Sequence, residues 1–271
     1  MDLANAVSKT KAYAGFFNYP LSEEETHHWL ISKQLVSKAS IKKYFSPLSS
    51  KELIYKKNLL KNTQKKEKLA LEILKITRLI PFIRLIALTG SVAANNSKKE
   101  DDLDLLIITQ ENSLWLVRPL FLLLLSCNFS RRHPRDASHK TSNAFCPNLW
   151  LDTSSLKIPA NRQNLYTAHE VLQIKPLVDR GQTYLKFILA NHWTKHYLAN
   201  AYSSFSQKIP VQKQTQLYSY ILFPLNLLLF FLQFVYMLPK KTTETVNLHS
   251  AFFHKNNLSK TLNNHLKNNS L

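Results

Sequence analysis

Glycine is the residue this chain almost does without: three occur, Gly15, Gly90 and Gly181. Average usage of about 7% would place roughly nineteen in a chain of this length. Dinucleotide-binding loops and P-loops need several glycines close together, so that backbone amides can approach a phosphate. Three isolated glycines cannot assemble such a loop, which removes both architectures from consideration.

At 45% apolar and 11% aromatic over 271 residues, the chain can build a real core, as one large domain or two to three small ones, and is not disordered. Lys and Arg number 36 against 17 Asp and Glu, a formal charge of +19, so polyanions are the natural partners: nucleic acid, nucleotides or an anionic membrane surface. The excess is carried by 28 Lys and only 8 Arg, which is also what a general compositional bias produces. Cys127 and Cys146 stand outside any CxxC pattern, so disulfide scaffolds and structural zinc sites are disfavoured and a cytoplasmic, reducing location is expected. No secretory signal is read in the first thirty residues.

Three parts are expected. Residues 1–61 read as short helices: Ser22 and Glu25 have capping-box spacing, and a second helix is expected over 38–45. A winged-helix-like unit fits this pattern. From Lys38 to Arg78 twelve basic residues face three acidic ones, a candidate nucleic-acid surface whose plain alternative is a solvated helix face. Residues 62–159 read as a small α/β unit: a helix over 63–80, strands at Ile83 to Thr89 and Leu103 to Thr109, an apolar helix over 113–126, and a strand from Phe145 to Asp152. Residues 160–271 read as an all-α domain, making the fold class α+β. Within it Leu217 to Leu238 lies in an uncharged stretch between Lys213 and Lys240. A buried core helix is the expected reading and a membrane span the alternative. Asn226 and Gln233, seven apart, would share a face where neighbouring helices satisfy them.

Four of the seventeen acids, Glu100, Asp101, Asp102 and Asp104, fall within five positions. Period two places the Asp102 and Asp104 carboxylates on the same side of a strand whose Leu103 and Leu105 face the other way. Two like charges held together are unfavourable unless a cation sits between them, and hard divalent cations take oxygen ligands in this way, usually with substrate phosphates. Twelve residues before Asp102, Gly90 and Ser91 end the preceding strand. A glycine there lets backbone approach a phosphate, and the Ser91 hydroxyl and following amides can donate to it.

Gly90-Ser91, a ten-residue gap and Asp102-Leu103-Asp104 amid apolar residues together resemble the signature of the DNA polymerase beta-like nucleotidyltransferase superfamily. The wider arrangement, Phe17-Asn18-Tyr19-Pro20-Leu21 before a helix and Ala251-Phe252-Phe253-His254 late in the chain, is similar to bacterial members that carry no assigned substrate. The resemblance implies that Gly90 and Ser91 hold a nucleoside triphosphate and that Asp102 and Asp104 bind two Mg²⁺ ions. It also implies a third carboxylate on a neighbouring strand, for which Asp152 is the match. The implied reaction moves a nucleoside monophosphate to an acceptor, whether RNA, protein or small molecule, and releases pyrophosphate. The alternative is a nucleic-acid-binding regulator whose α/β part only senses nucleotide. Arg131, Arg132 and Arg135 could clamp the triphosphate or be merely solvated. Cys146 reads as a small buried residue rather than a nucleophile. His192 and His196 are weak metal candidates, lacking a third ligand.

Overall fold

Ile83–Leu88 (β1) and Leu103–Thr109 (β2) bury almost every side chain on both faces, the pattern of strands covered on two sides. They form the centre of the computed structural model, which describes residues 2–133, 142–205, 218–240, 244–253 and 257–268. Phe145–Asp152 (β3), Lys175–Asp179 (β4), Thr245–Asn247 (β5) and Ser250–Phe252 (β6) complete a six-stranded mixed sheet in the order β4-β1-β2-β3-β6-β5. β2 and β3 run parallel, and the other neighbours are antiparallel. Leu114–Asn128 (α7) lies between β2 and β3, the helix that a parallel connection requires.

One face of the sheet, with Leu85, Ala87, Leu106 and Ile108, packs against Tyr13 of Leu3–Phe16 (α1), against Leu165–Leu172 (α8) and against Thr183–Ala190 (α9). The other face, with Ile86, Leu88, Leu105 and Ile107, packs against α7 and, further out, against Tyr218–Met237 (α11). The chain is therefore α+β, with helices on both faces of one sheet.

Scarcity of glycine has a local consequence. Among the described residues five non-glycine residues take positive φ, and four of them, Asn18, Asn95, Asn112 and Asn143, are asparagines. Asparagine is the side chain that tolerates the left-handed region best, because its short amide can bond locally.

Four expectations are corrected here. The C-terminal part is not all-α, since β4, β5 and β6 come from it and extend the sheet at both edges. Ser50–Leu71 (α4), opened by a second capping box between Ser49 and Glu52, runs through the boundary expected at residue 61. The N-terminal part has the capping box at Ser22 and Glu25, Glu23–His28 (α2) and Lys38–Ile41 (α3). Among its described residues the only strand-like pairing is an isolated bridge from Ser32 to Leu198, so it has no hairpin to serve as a wing. A fourth correction concerns α11: only 6% of the residues from Tyr220 to Met237 are buried. It is a surface helix rather than a core one.

Candidate active site

The Gly-Ser turn and the acidic strand end are built as one unit. Thr89 follows β1, and its N–H donates to the carbonyl of Asp104 at 2.9 Å. Gly90 then turns at φ +60°, and a Cβ there would lie 3.3 Å from Asp104 Cγ and overlap its Oδ2. Both the backbone angle and the contact demand glycine. Ser91 follows, half-buried, in the short helix Gly90–Ala93 (α6). Its carbonyl accepts from the Asn96 N–H at 2.9 Å, and Asn96 Nδ2 donates to the carbonyl of Phe17 at 2.9 Å. Lys175 of β4 bridges Glu67 at 2.7 Å and the Val92 carbonyl at 3.3 Å, fixing the turn from the other side.

Asp102 and Asp104 lie together as expected. With the Cys146 thiol they form a group whose ligand atoms are within 4.8 Å of one another. Asp102 Oδ2 pairs with Arg132 Nη1 at 2.6 Å. Asp104 sits on the sheet face of Leu106 and Ile108, and Asn148 Nδ2 donates to its Oδ1. Asn148 is the extra residue where β3 slips against β2, between the pairs Leu105 with Pro147 and Leu106 with Leu149. Such a bulge re-aims a side chain. Desolvation, then the Asp102 and Glu170 charges, push the Asp104 carboxyl up to about 8. Cys146 is held well above the usual thiol range by burial and by the two aspartates, so it stays protonated and is no nucleophile.

Glu170, the alternative to Asp152 as the third acid, is the one that packing brings to this end of the sheet. It stands on α8, accepts a hydrogen bond from the Gly90 N–H and another from Gln173, and burial pushes it up to about 7. Its field and that of Asp104 raise the Tyr166 hydroxyl on the same helix. No local motif marks Glu170 in the sequence; only the packing of α8 over β2 brings it there.

Asp152 does not join this site. In the parallel register Asp104 pairs with Cys146, whereas Asp152 pairs with Thr109 at the far end of the strand, about 17 Å away at 3.3 Å per residue. Alternation from Leu151 also puts it on the sheet face of Trp150 rather than that of Asp104. There it is fully buried, and it accepts from the Asn112 N–H at 3.2 Å, the Ser154 N–H at 3.0 Å and the Ser154 hydroxyl at 2.6 Å. His249 Nδ1 contacts its Oδ2 at 2.7 Å. These partners make it a structural anchor joining three connections at one end of the sheet.

The residues at the Asp104 end suit a hard divalent cation. Besides the two carboxylates, Asn148 Oδ1 and Thr89 Oγ1 are buried there with no hydrogen-bond partner, and such atoms are rare unless a ligand answers them. Carboxylate and amide oxygens are Mg²⁺ donors, whereas a protonated thiol is not. The set fits one cation; the two-ion arrangement loses the carboxylate that Asp152 was expected to supply.

The basic N-terminal surface is reduced but present. Lys56 is paired with Glu25 and stands over the Tyr19 ring, and Lys66 is buried, donating to the carbonyls of Lys99 and Asp101. Lys57, Lys61, Lys65 and Lys68 remain exposed along α4. Arg135 and His254 fall outside the described residues. His192 and His196 sit in a 3₁₀ turn, whose three-residue repeat does not align positions four apart. No protein-family model, no curated protein and no solved structure matches this chain.

Proposed function

We propose that the chain is a Mg²⁺-dependent nucleotidyltransferase, transferring a nucleoside monophosphate from a triphosphate to an acceptor hydroxyl. The observation that carries this reading is the fit of Gly90 against Asp104, which leaves no room for a Cβ and locks the Gly-Ser turn onto the paired carboxylates. The order β1, Gly-Ser turn, β2, crossover α7 and parallel β3 supports a nucleotidyltransferase-type arrangement.

Asp102, Asp104 and Asn148 Oδ1 would hold the cation, and Ser91 would bond a triphosphate oxygen. A divalent cation there supplies Lewis-acid stabilisation of charge on the phosphoryl group. The acceptor oxygen forms a bond to the α-phosphorus as the bond to the pyrophosphate oxygen breaks. Arg132, beside Asp102, is placed to neutralise the phosphates. Glu170, beside the Gly90 amide and left out of the cation's ligand set, would take the hydroxyl proton, directly or through water, and a group near neutrality is suited to that role.

The second reading, a nucleic-acid-binding regulator that senses nucleotide without turnover, is favoured by one feature. The β3 side chain that bonds Asp104 is Asn148 rather than a third carboxylate, and Glu170 occupies the Gly90 amide. Incubation with α-labelled nucleoside triphosphates, Mg²⁺ and cell extract as acceptor source separates the two. Label transfer with pyrophosphate release, lost in Asp104→Asn, supports the enzyme. Saturable nucleotide binding with no pyrophosphate under any acceptor condition supports the sensor and removes the enzyme reading.

A further inference from the structure

Among the described residues, α11 carries more of the exposed large apolar side chains than any other element. Asn226, Leu229, Phe230, Gln233, Phe234 and Met237 turn inward: Asn226 Oδ1 accepts from the Trp115 N–H at 2.8 Å, and Gln233 donates to the Trp115 carbonyl at 2.7 Å and accepts from Arg118 at 2.9 Å. At 100° per residue these six occupy one side of the helix. An opposite arc of roughly 120° carries Ile221, Leu225, Leu228, Phe231, Leu232 and Val235, each between 45% and 70% exposed. Leu120 and Leu123 of α7, at 44% and 61%, add to the uncovered apolar surface. Soluble monomers rarely leave a contiguous patch of this kind in water.

We infer that this face is seated in a lipid bilayer, with α11 lying in the plane of the membrane surface. Three observations choose lipid over a second copy of the chain. A helix-to-helix seam covers a narrow stripe, whereas acyl chains wrap the whole uncovered arc. Tyr220 and Tyr236, 78% and 69% exposed, flank that arc on its two sides at 100° per residue, where an amphipathic ring on a helix lying flat suits the headgroup level. The stretch is uncharged from Gln214 to Pro239 and bracketed by Lys213, Lys240 and Lys241, in a chain of formal charge +19, which complements anionic headgroups.

The in-plane orientation follows from the polar latch. Twenty residues at 1.5 Å each match the bilayer core, about 30 Å, but a spanning α11 would withdraw Asn226 and Gln233 from Trp115 and Arg118 and strand them in hydrocarbon. Lying flat keeps every one of those bonds and buries only the apolar arc. This inference is independent of the chemistry at Asp104.

The test is flotation of the full chain with phosphatidylcholine vesicles and with vesicles that also contain phosphatidylglycerol. The protein should float with both, more strongly with the anionic vesicles at low salt. Leu228→Glu with Leu232→Glu, both at exposed positions, should weaken flotation by about tenfold or more while the circular-dichroism spectrum and divalent-cation binding stay unchanged. Cysteines placed by Gln214→Cys and by Lys241→Cys in a Cys127→Ser background should both react with a membrane-impermeant maleimide added outside the vesicles. Protection of one flank means a span and overturns the in-plane seating. Absence from all vesicles, with concentration-dependent self-association abolished by the same glutamates, overturns the lipid assignment in favour of a second copy.

Discussion

Replacing each of the three glycines by alanine puts a number on the contact that joins the Gly-Ser turn to Asp104. Gly90 and Gly181 both have positive φ, +60° and +69°, but a Cβ on Gly181 meets nothing within 4 Å whereas one on Gly90 runs into the Asp104 carboxylate. The left-handed backbone costs an alanine about 1–2 kcal/mol. About 0.4–1 kcal/mol of this is returned because alanine restricts the unfolded chain. Both terms are common to the two sites. The difference between Gly90→Ala and Gly181→Ala therefore isolates the steric conflict, about 1–3 kcal/mol for forcing one carbon into packed structure. Gly15, in α1 with open space around it, should by contrast gain up to about 1 kcal/mol as alanine. Denaturant unfolding at constant m reads all three from the midpoint. In an Asp104→Ala background the Gly90→Ala penalty should fall to that of Gly181→Ala. Equal losses at positions 90 and 181, or a Gly90 penalty that survives removal of the Asp104 side chain, would refute the packing on which the site rests.

Three further outcomes are expected. Asp104, raised from 3.8 to about 8, and Glu170, raised from 4.5 to about 7, bind protons in the folded state that the unfolded chain has already lost. Stability without divalent cations should therefore fall as pH rises from about 4 to 8, and Mg²⁺ should flatten the profile; a midpoint that climbs through this window contradicts the assignment. Asp152→Asn should lower stability by about 1.5–3 kcal/mol through its weakened bonds to His249 and Ser154, yet leave cation affinity at the Asp104 end intact; a loss of affinity would place Asp152 back in the site. Charge reversal at Lys57 and Lys61 should reduce polynucleotide affinity and flatten its salt dependence by about one unit of slope per lost phosphate contact, and salt-independent binding would leave α4 a solvated face.

The central strands were legible because period and composition agree: β2 occupies 103–109 and β3 145–152, as the apolar runs predict. β4 was not, since Pro176 interrupts it and none of its residues is fully buried, so it has no apolar signature. β5 and β6 have three residues each, too few for an alternation. The adjacency of Asp102, Asp104 and Gly90 could be read from spacing, because a turn between neighbouring antiparallel strands is a local structure. The misplacement of Asp152 had a signal against it. An apolar helix between β2 and β3 implies a parallel crossover, which aligns the starts of the two strands and sends the last residue of β3 away from the first residues of β2. Asn148 needed the bulge and Glu170 the packing of α8, and neither is written in local sequence. α11 was read as buried because hydropathy reports apolarity and says nothing of what covers it. Its polar pair was placed correctly, because Asn226 and Gln233 must face whatever can bond them.

The most direct measurement is Mn²⁺ binding followed by electron paramagnetic resonance in the wild type, Asp104→Asn and Asp152→Asn. The account predicts one tight site in the wild type, its loss in Asp104→Asn, and wild-type affinity in Asp152→Asn. Tight binding that survives Asp104→Asn, or that disappears in Asp152→Asn, would contradict it.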